Sequence, residues 1–113
     1  MKILRIPSLV LLGAALSGFV AVPAARADEA ISIVIKDHKF VPSEATAHAG
    51  QKIKITVRNE GTGSSEFESS DFHREKVVLA GNEVVLFVGP LDAGTYEFFD
   101  DFHPETRGHL TVK

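Results

Sequence analysis

Asp100, Asp101 and His103 stand close together in the run GTYEFFDDFHPETRGHLTV, residues 94–112. A strand-forming stretch ends there at Phe99, and another resumes after Gly108. A carboxylate and an imidazole three residues apart, on a tight loop between two anchored strands, present an oxygen and a nitrogen at a fixed separation. A preorganised metal site needs that arrangement. Pro104, next to His103, stiffens the loop further. The same residues also have an ordinary reading, in which Asp100 and Asp101 shape a turn and His103 bonds a loop carbonyl. Glu66 and Glu68, in SSEFESS, are additional oxygen donors. Only one of the two is expected to face the loop, and Glu66 is the candidate, with Glu68 and Glu105 set aside. His48, His73 and His109 are read as surface or packing histidines.

What the chain lacks narrows the chemistry. It has no cysteine, and its one methionine is Met1. Thiolate chemistry and disulfides are therefore excluded, and the mature chain offers no thioether. The remaining donors, carboxylate and imidazole, suit Fe, Mn, Cu(II) or Zn better than Cu(I). No strained Ser elbow, no phosphate-binding glycine loop and no H-E-x-x-H stretch is present, so hydrolase chemistry is disfavoured.

The elements that must position these residues read as β throughout. Ile31–Ile35 is rich in β-branched residues, and residues 52–58 (KIKITVR) alternate so that Ile53, Ile55 and Val57 share one face. Residues 59–65 form a polar loop containing glycine. Lys76–Leu79 and Glu83–Val88 flank a turn at Ala80-Gly81-Asn82, Thr95–Phe99 is a further strand, and Leu110–Val112 closes the chain. Several short strands with turn signals between them predict an all-β sandwich or barrel. The segment LDAGTY, residues 91–96, has the spacing of a tyrosine corner, in which the Tyr96 hydroxyl bonds back to the main chain.

The N-terminus belongs to a different class of segment. Lys2 and Arg5 precede an apolar run from Ile6 to Val22, and Ala25-Arg26-Ala27 follows as an A-x-A cleavage pattern. That order predicts a secretory signal peptide over residues 1–27, a mature domain over residues 28–113, and a periplasmic location with no membrane span after cleavage. Nine Lys and Arg then face 15 Asp and Glu, a net charge of −6. No basic stripe for nucleic acid remains, and an acidic surface suits cations and cationic partners.

The C-terminal segment resembles the metal loop of the cupredoxins, most closely the short-loop, amicyanin-like form Y-x-F/Y-x-C-x-x-H-P-x-M-x-G. Tyr96, Phe98, His103, Pro104 and Gly108 match that pattern. Asp100 stands at the cysteine position and Thr106 at that of the axial methionine. The resemblance implies a Greek-key β-sandwich, with Glu66 or Glu68 in the region of a further ligand and His38, in DHKFVP, on a segment that approaches the site. A blue-copper centre is not expected, because the cysteine is replaced. The cysteine-less pattern, with EFESSDFHREKVV and FFDDFHPETRG, is similar to the EfeO-type cupredoxin-like proteins linked to ferrous-iron uptake. The two resemblances together imply a transition-metal ion, iron or copper, held by Asp100, His103, Glu66 and His38, and the second is the basis for iron. It also implies partners in a periplasmic iron-binding protein and an inner-membrane iron permease, and it raises oxidation of Fe(II) as an activity. A copper-binding or copper-resistance protein and a metal-free interaction module stand as alternative readings.

Overall fold

The computed structural model describes residues 27–113. The signal peptide expected over residues 1–27 lies, except for Ala27, outside the described residues. The chain forms nine strands: β1 (Glu29–Lys36), β2 (Lys39–Val41), β3 (Glu44–Ala47), β4 (Ile53–Asn59), β5 (Ser65–Ser69), β6 (Arg74–Val78), β7 (Glu83–Val88), β8 (Gly94–Asp100) and β9 (His103–Val112). They make two sheets, ordered β2-β1-β4-β7 and β3-β9-β8-β5-β6. The expected all-β sandwich of two sheets is what forms.

Period-2 alternation explains how the sheets close on each other. In the first sheet Ile31 pairs with Ile55 and Ile33 with Val57 across the parallel β1–β4 ladder. Leu86 and Val88 join the same inner face from β7, opposite Ile55 and Ile53. The second sheet contributes Phe67, Phe98, Leu110 and Val112. An aromatic cluster bridges the layers, with the Phe40 ring edge-on to Phe67 and Phe98 at centroid distances of 5.9 and 5.1 Å. Edge-to-face geometry is the arrangement that the ring quadrupole prefers.

Close packing sets one glycine. A Cβ on Gly108 would collide with the Phe98 ring and stand 2.6 Å from the Ser43 carbonyl oxygen. Only hydrogen fits where β9 crosses that ring. The tyrosine corner is also present: Tyr96 donates its hydroxyl to the Asp92 carbonyl at 2.7 Å.

Three expectations change in detail. The loop expected over residues 59–65 ends a residue early, and residues 65–69 form β5, an inner strand of the second sheet. Short strands β2 and β3 also form on either side of Pro42 and Ser43. Finally, the chain re-enters a strand at His103, not after Gly108, so only Asp101 and Phe102 separate β8 from β9.

Candidate metal centre

That short connection makes Asp100 and His103 direct neighbours. They are cross-strand partners at the mouth of the β8–β9 hairpin, beside a bulge at Phe99/Asp100. Strand parity then decides where the carboxylate points. Phe98 and Asp100 share the inner face of β8, and Asp100 is 1 % exposed. A carboxylate in that position must be hydrogen-bonded. Its Oδ1 accepts the main-chain N–H of Glu66 at 2.9 Å and of Phe102 at 3.0 Å. Its Oδ2 faces Nδ1 of His103 at 3.1 Å.

Burial alone would raise the Asp100 pKa. The Glu66 amide, the Ser65 hydroxyl, the His103 ring and the Phe102 amide outweigh it and hold the carboxyl below its ordinary value. The end of β8 is therefore an anion seat, built from main-chain donors on a neighbouring strand and on the turn.

The His103 ring is half-exposed. The His38 ring lies against it, with centroids 4.6 Å apart and planes tilted by 54°. His38 reaches this position from the two-residue turn between β1 and β2, where Lys36 pairs with Lys39. Asp37 and His38 both adopt left-handed backbone, at φ 51° and 55°. Asp and His tolerate that region better than most residues, and two consecutive positive-φ residues match the twist of a two-residue hairpin. Thr106 ties the turn to β9 by donating its hydroxyl to the His38 carbonyl at 2.6 Å.

A cavity of about 270 Å³ opens beside the two rings, lined in part by Asp37, His38, Glu60, Thr62, Ser65 and His103. Asn59 shapes its far wall. The side chain is 1 % exposed, donates to the Gly63 and Val78 carbonyls at 2.8 and 2.9 Å, and accepts the Gly61 N–H at 2.9 Å.

Of the four candidate ligands, the structure pairs Asp100 with His103 and sets the His38 ring against that of His103. The Glu66 carboxylate is not with them. Ser65, Phe67 and Ser69 are the buried residues of β5, so Glu66 and Glu68 both project from the opposite face. Residues two apart on a strand share a face, and the expectation that only one of these glutamates would face the loop fails for that reason. Glu66 reaches the site through its amide alone. Its carboxylate instead joins Glu68 and Asp101, where one oxygen from each lies within 4.8 Å of the others. Among the described residues this is the one such trio. Burial pushes the Glu68 carboxyl up, and the neighbouring charges of Asp101, Glu66 and Glu75 push it further.

Ser65 is the residue that sequence reasoning passed over. The available signal was parity, because Phe67 belongs in the core and takes Ser65 inward with it. The histidines set aside are surface pairs or turn residues. His48 Nδ1 meets Glu29 at 2.7 Å, His109 Nδ1 meets Glu44 at 3.0 Å, and His73 sits in a left-handed turn.

Comparison with known proteins agrees with this architecture. The family model described as Cupredoxin-like domain matches residues 8–112. An uncharacterised protein of Rickettsia prowazekii is 42 % identical over 83 residues, covering 73 % of this chain and 66 % of that protein. Amicyanin from Paracoccus versutus superposes with a TM-score of 0.60 at 21 % identity, covering 82 % of this chain and 86 % of its own. Auracyanin A, a blue copper protein of Chloroflexus aurantiacus, gives 0.64 at 18 % identity, with 74 % and 98 % covered. The metal-binding domain of the Cu(I)-exporting ATPase CopA of Streptococcus pneumoniae gives 0.67 at 17 %, with 80 % and 91 % covered. At these identities the likeness is one of fold.

Proposed function

The chain belongs to the cupredoxin-like domain family, and from that premise we propose that it is a periplasmic metal-binding protein that takes up Fe(II) between Asp100, His103 and His38 and passes it toward an iron-uptake permease. One observation carries the reading: a buried carboxylate faces an imidazole nitrogen at 3.1 Å, with a second imidazole against the first. Two donors each about 2.1 Å from one ion and at a right angle to each other stand about 3.0 Å apart. The Asp100–His103 spacing fits that value, so an ion can take the place of the proton now shared between them. The His38 ring must turn to add its nitrogen, and its exposed position on the turn leaves it free to do so.

The donor set supports iron. Two imidazoles and a carboxylate suit a harder ion than Cu(I), and anionic oxygen favours Fe(III) over Fe(II). Oxidation of bound Fe(II) is accordingly part of the proposal, with dioxygen or Cu(II) as the electron acceptor. Because the ligands must lose protons to bind, uptake should release protons and weaken in acid. The similarity to EfeO-type proteins supports the iron-uptake role, with a periplasmic iron-binding protein and the inner-membrane permease as receivers. The signal-peptide pattern of residues 1–27 supports the periplasmic location.

A copper-binding role is the second reading, favoured by the solved relatives whose names identify them as copper proteins. Affinity does not separate the two, because Cu(II) outcompetes the other divalent ions at most nitrogen and oxygen sites. The test is an anaerobic Fe(II) titration followed by admission of air. Stoichiometric binding with oxidation faster than in buffer is expected. Binding of Cu(II) with no uptake of Fe(II) would transfer the role to copper, and no uptake of either would end both readings.

A further inference from the structure

Thr106 is 2 % exposed, yet its hydroxyl spends its one donor on a residue 68 positions away in sequence, the carbonyl of His38 at 2.6 Å. That carbonyl lies on a turn with two consecutive left-handed residues, neither of them glycine. Left to themselves, such residues favour other backbone wells by a margin on the order of 1 kcal/mol or more each. The turn joins a short hairpin, since β2 has only three residues, and it is closed by the Lys36–Lys39 pair. The Thr106 hydroxyl ties it to β9. What the closed turn delivers is the His38 ring, against His103 at 4.6 Å.

The geometry points to Thr106 as the positioning residue of the metal centre: it contributes no donor to the ion and instead holds the turn that sets the His38 imidazole against His103. This rests on the metal reading above and deepens it. A hydroxyl committed at 2.6 Å to a carbonyl has its proton engaged there, and its residue sits on the inner face of β9 while the site uses strand ends and a turn. Its consequence for the centre is selective. Loss of the hydroxyl releases His38 and leaves the Asp100–His103 pair, which has its own main-chain support, in place.

The test is a double-mutant cycle of Thr106→Val with His38→Ala, read by Co(II) titration through visible absorption. Outer-sphere partners of metal ligands are typically worth 10–100-fold in affinity. Thr106→Val is therefore expected to weaken Co(II) binding by about 10-fold or more, Thr106→Ser to restore it, and Thr106→Val to have no further effect in the His38→Ala background. A metal-free readout accompanies it. The ring-proton shifts of His38, displaced in the wild type by the adjacent His103 ring, should move toward free-histidine values in Thr106→Val. An equal loss of affinity in both backgrounds, or unmoved His38 resonances, overturns the inference. A wild type that takes up no Co(II) sinks the metal reading, while the resonance shifts still decide the role of Thr106. If Thr106→Val folds poorly, Thr106→Ala, which cannot overpack, carries the same cycle.

Discussion

Replacing Asp100 by asparagine separates the charge of the anion seat from its shape. Asparagine keeps an acceptor for the Glu66 and Phe102 amides, now at 2.9 and 3.0 Å from Asp100 Oδ1, and turns an amide N–H₂ toward His103. A hydrogen bond to a charged group contributes roughly 1.5–3 kcal/mol, against roughly 0.5–1.5 for a neutral pair. Over two amides the charge is worth about 2–3 kcal/mol, offset in part because a neutral side chain is less costly to bury. The expected loss is about 1–2 kcal/mol at neutral pH. For a domain of this size that lowers Tm by roughly 5–15 °C. The sign of the pH dependence follows from the Asp100 pKa, which lies below its ordinary value when folded. Near pH 4 the unfolded state binds more protons than the native state, so acid removes the contribution. It is fully present above the unfolded value of about 3.9 and fades as pH falls through the lower folded value. Urea titrations of both proteins, followed by circular dichroism from pH 7 to pH 3, should show a constant gap that closes only below about pH 4. Co(II) affinity of Asp100→Asn should fall at least about 100-fold, beyond the range for an outer-sphere partner. A stability gap that stays level through pH 3, or unchanged Co(II) affinity, would refute the argument that this carboxylate is ionised and a ligand.

Two further outcomes test the frame around the site. Gly108→Ala places a methyl group against the Phe98 ring and the Ser43 carbonyl, and thermal melts should show a loss of about 1–3 kcal/mol from overpacking. Glu68→Gln should raise Tm at neutral pH, most at low ionic strength. The Glu68 pKa is raised in the folded protein by burial and by Asp101, Glu66 and Glu75, so its ionisation destabilises the fold as pH climbs past the unfolded value, and the advantage of the variant should vanish below about pH 4.

The sandwich was legible because its inner faces are periodic. Ile53, Ile55 and Val57 alternate with polar residues, and a period of two puts all three on one face. Tyr96 announced its corner through spacing alone. Strands β2, β3 and β5 were harder to see. The first two have three and four residues, too few to show a period. In β5 the buried positions besides Phe67 are Ser65 and Ser69, so the usual apolar mark is missing. At the site, Asp100 and His103 were legible as a local pair. His38 was harder, because its approach depends on a left-handed turn and on Thr106, 68 residues away. Glu66 was misplaced through a parity slip, since residue 66 takes the face opposite to Phe67.

The arrangement around Asp100 bears on why a carboxylate can stand at the cysteine position of a cupredoxin-like domain without dismantling it. Two main-chain N–H groups, one from β5 and one from the turn after β8, converge on Oδ1. Those donors belong to the backbone register, in which Phe67 pairs with Asp100, and so they are present whatever side chain occupies position 100. The fold supplies a seat for an anion, and the side chain chooses whether that anion is soft or hard. On the metal reading proposed above, selectivity for the ion would lie in very few residues: the donor atom at position 100, and the alcohol at position 106 that ties the His38 turn to β9 and offers no sulfur. On the same reading, a change of metal within such a scaffold would need no change in the sheets. The chain keeps the fold of two copper-named structures at 17–18 % identity while presenting a carboxylate oxygen and an imidazole nitrogen to each other at the end of β8.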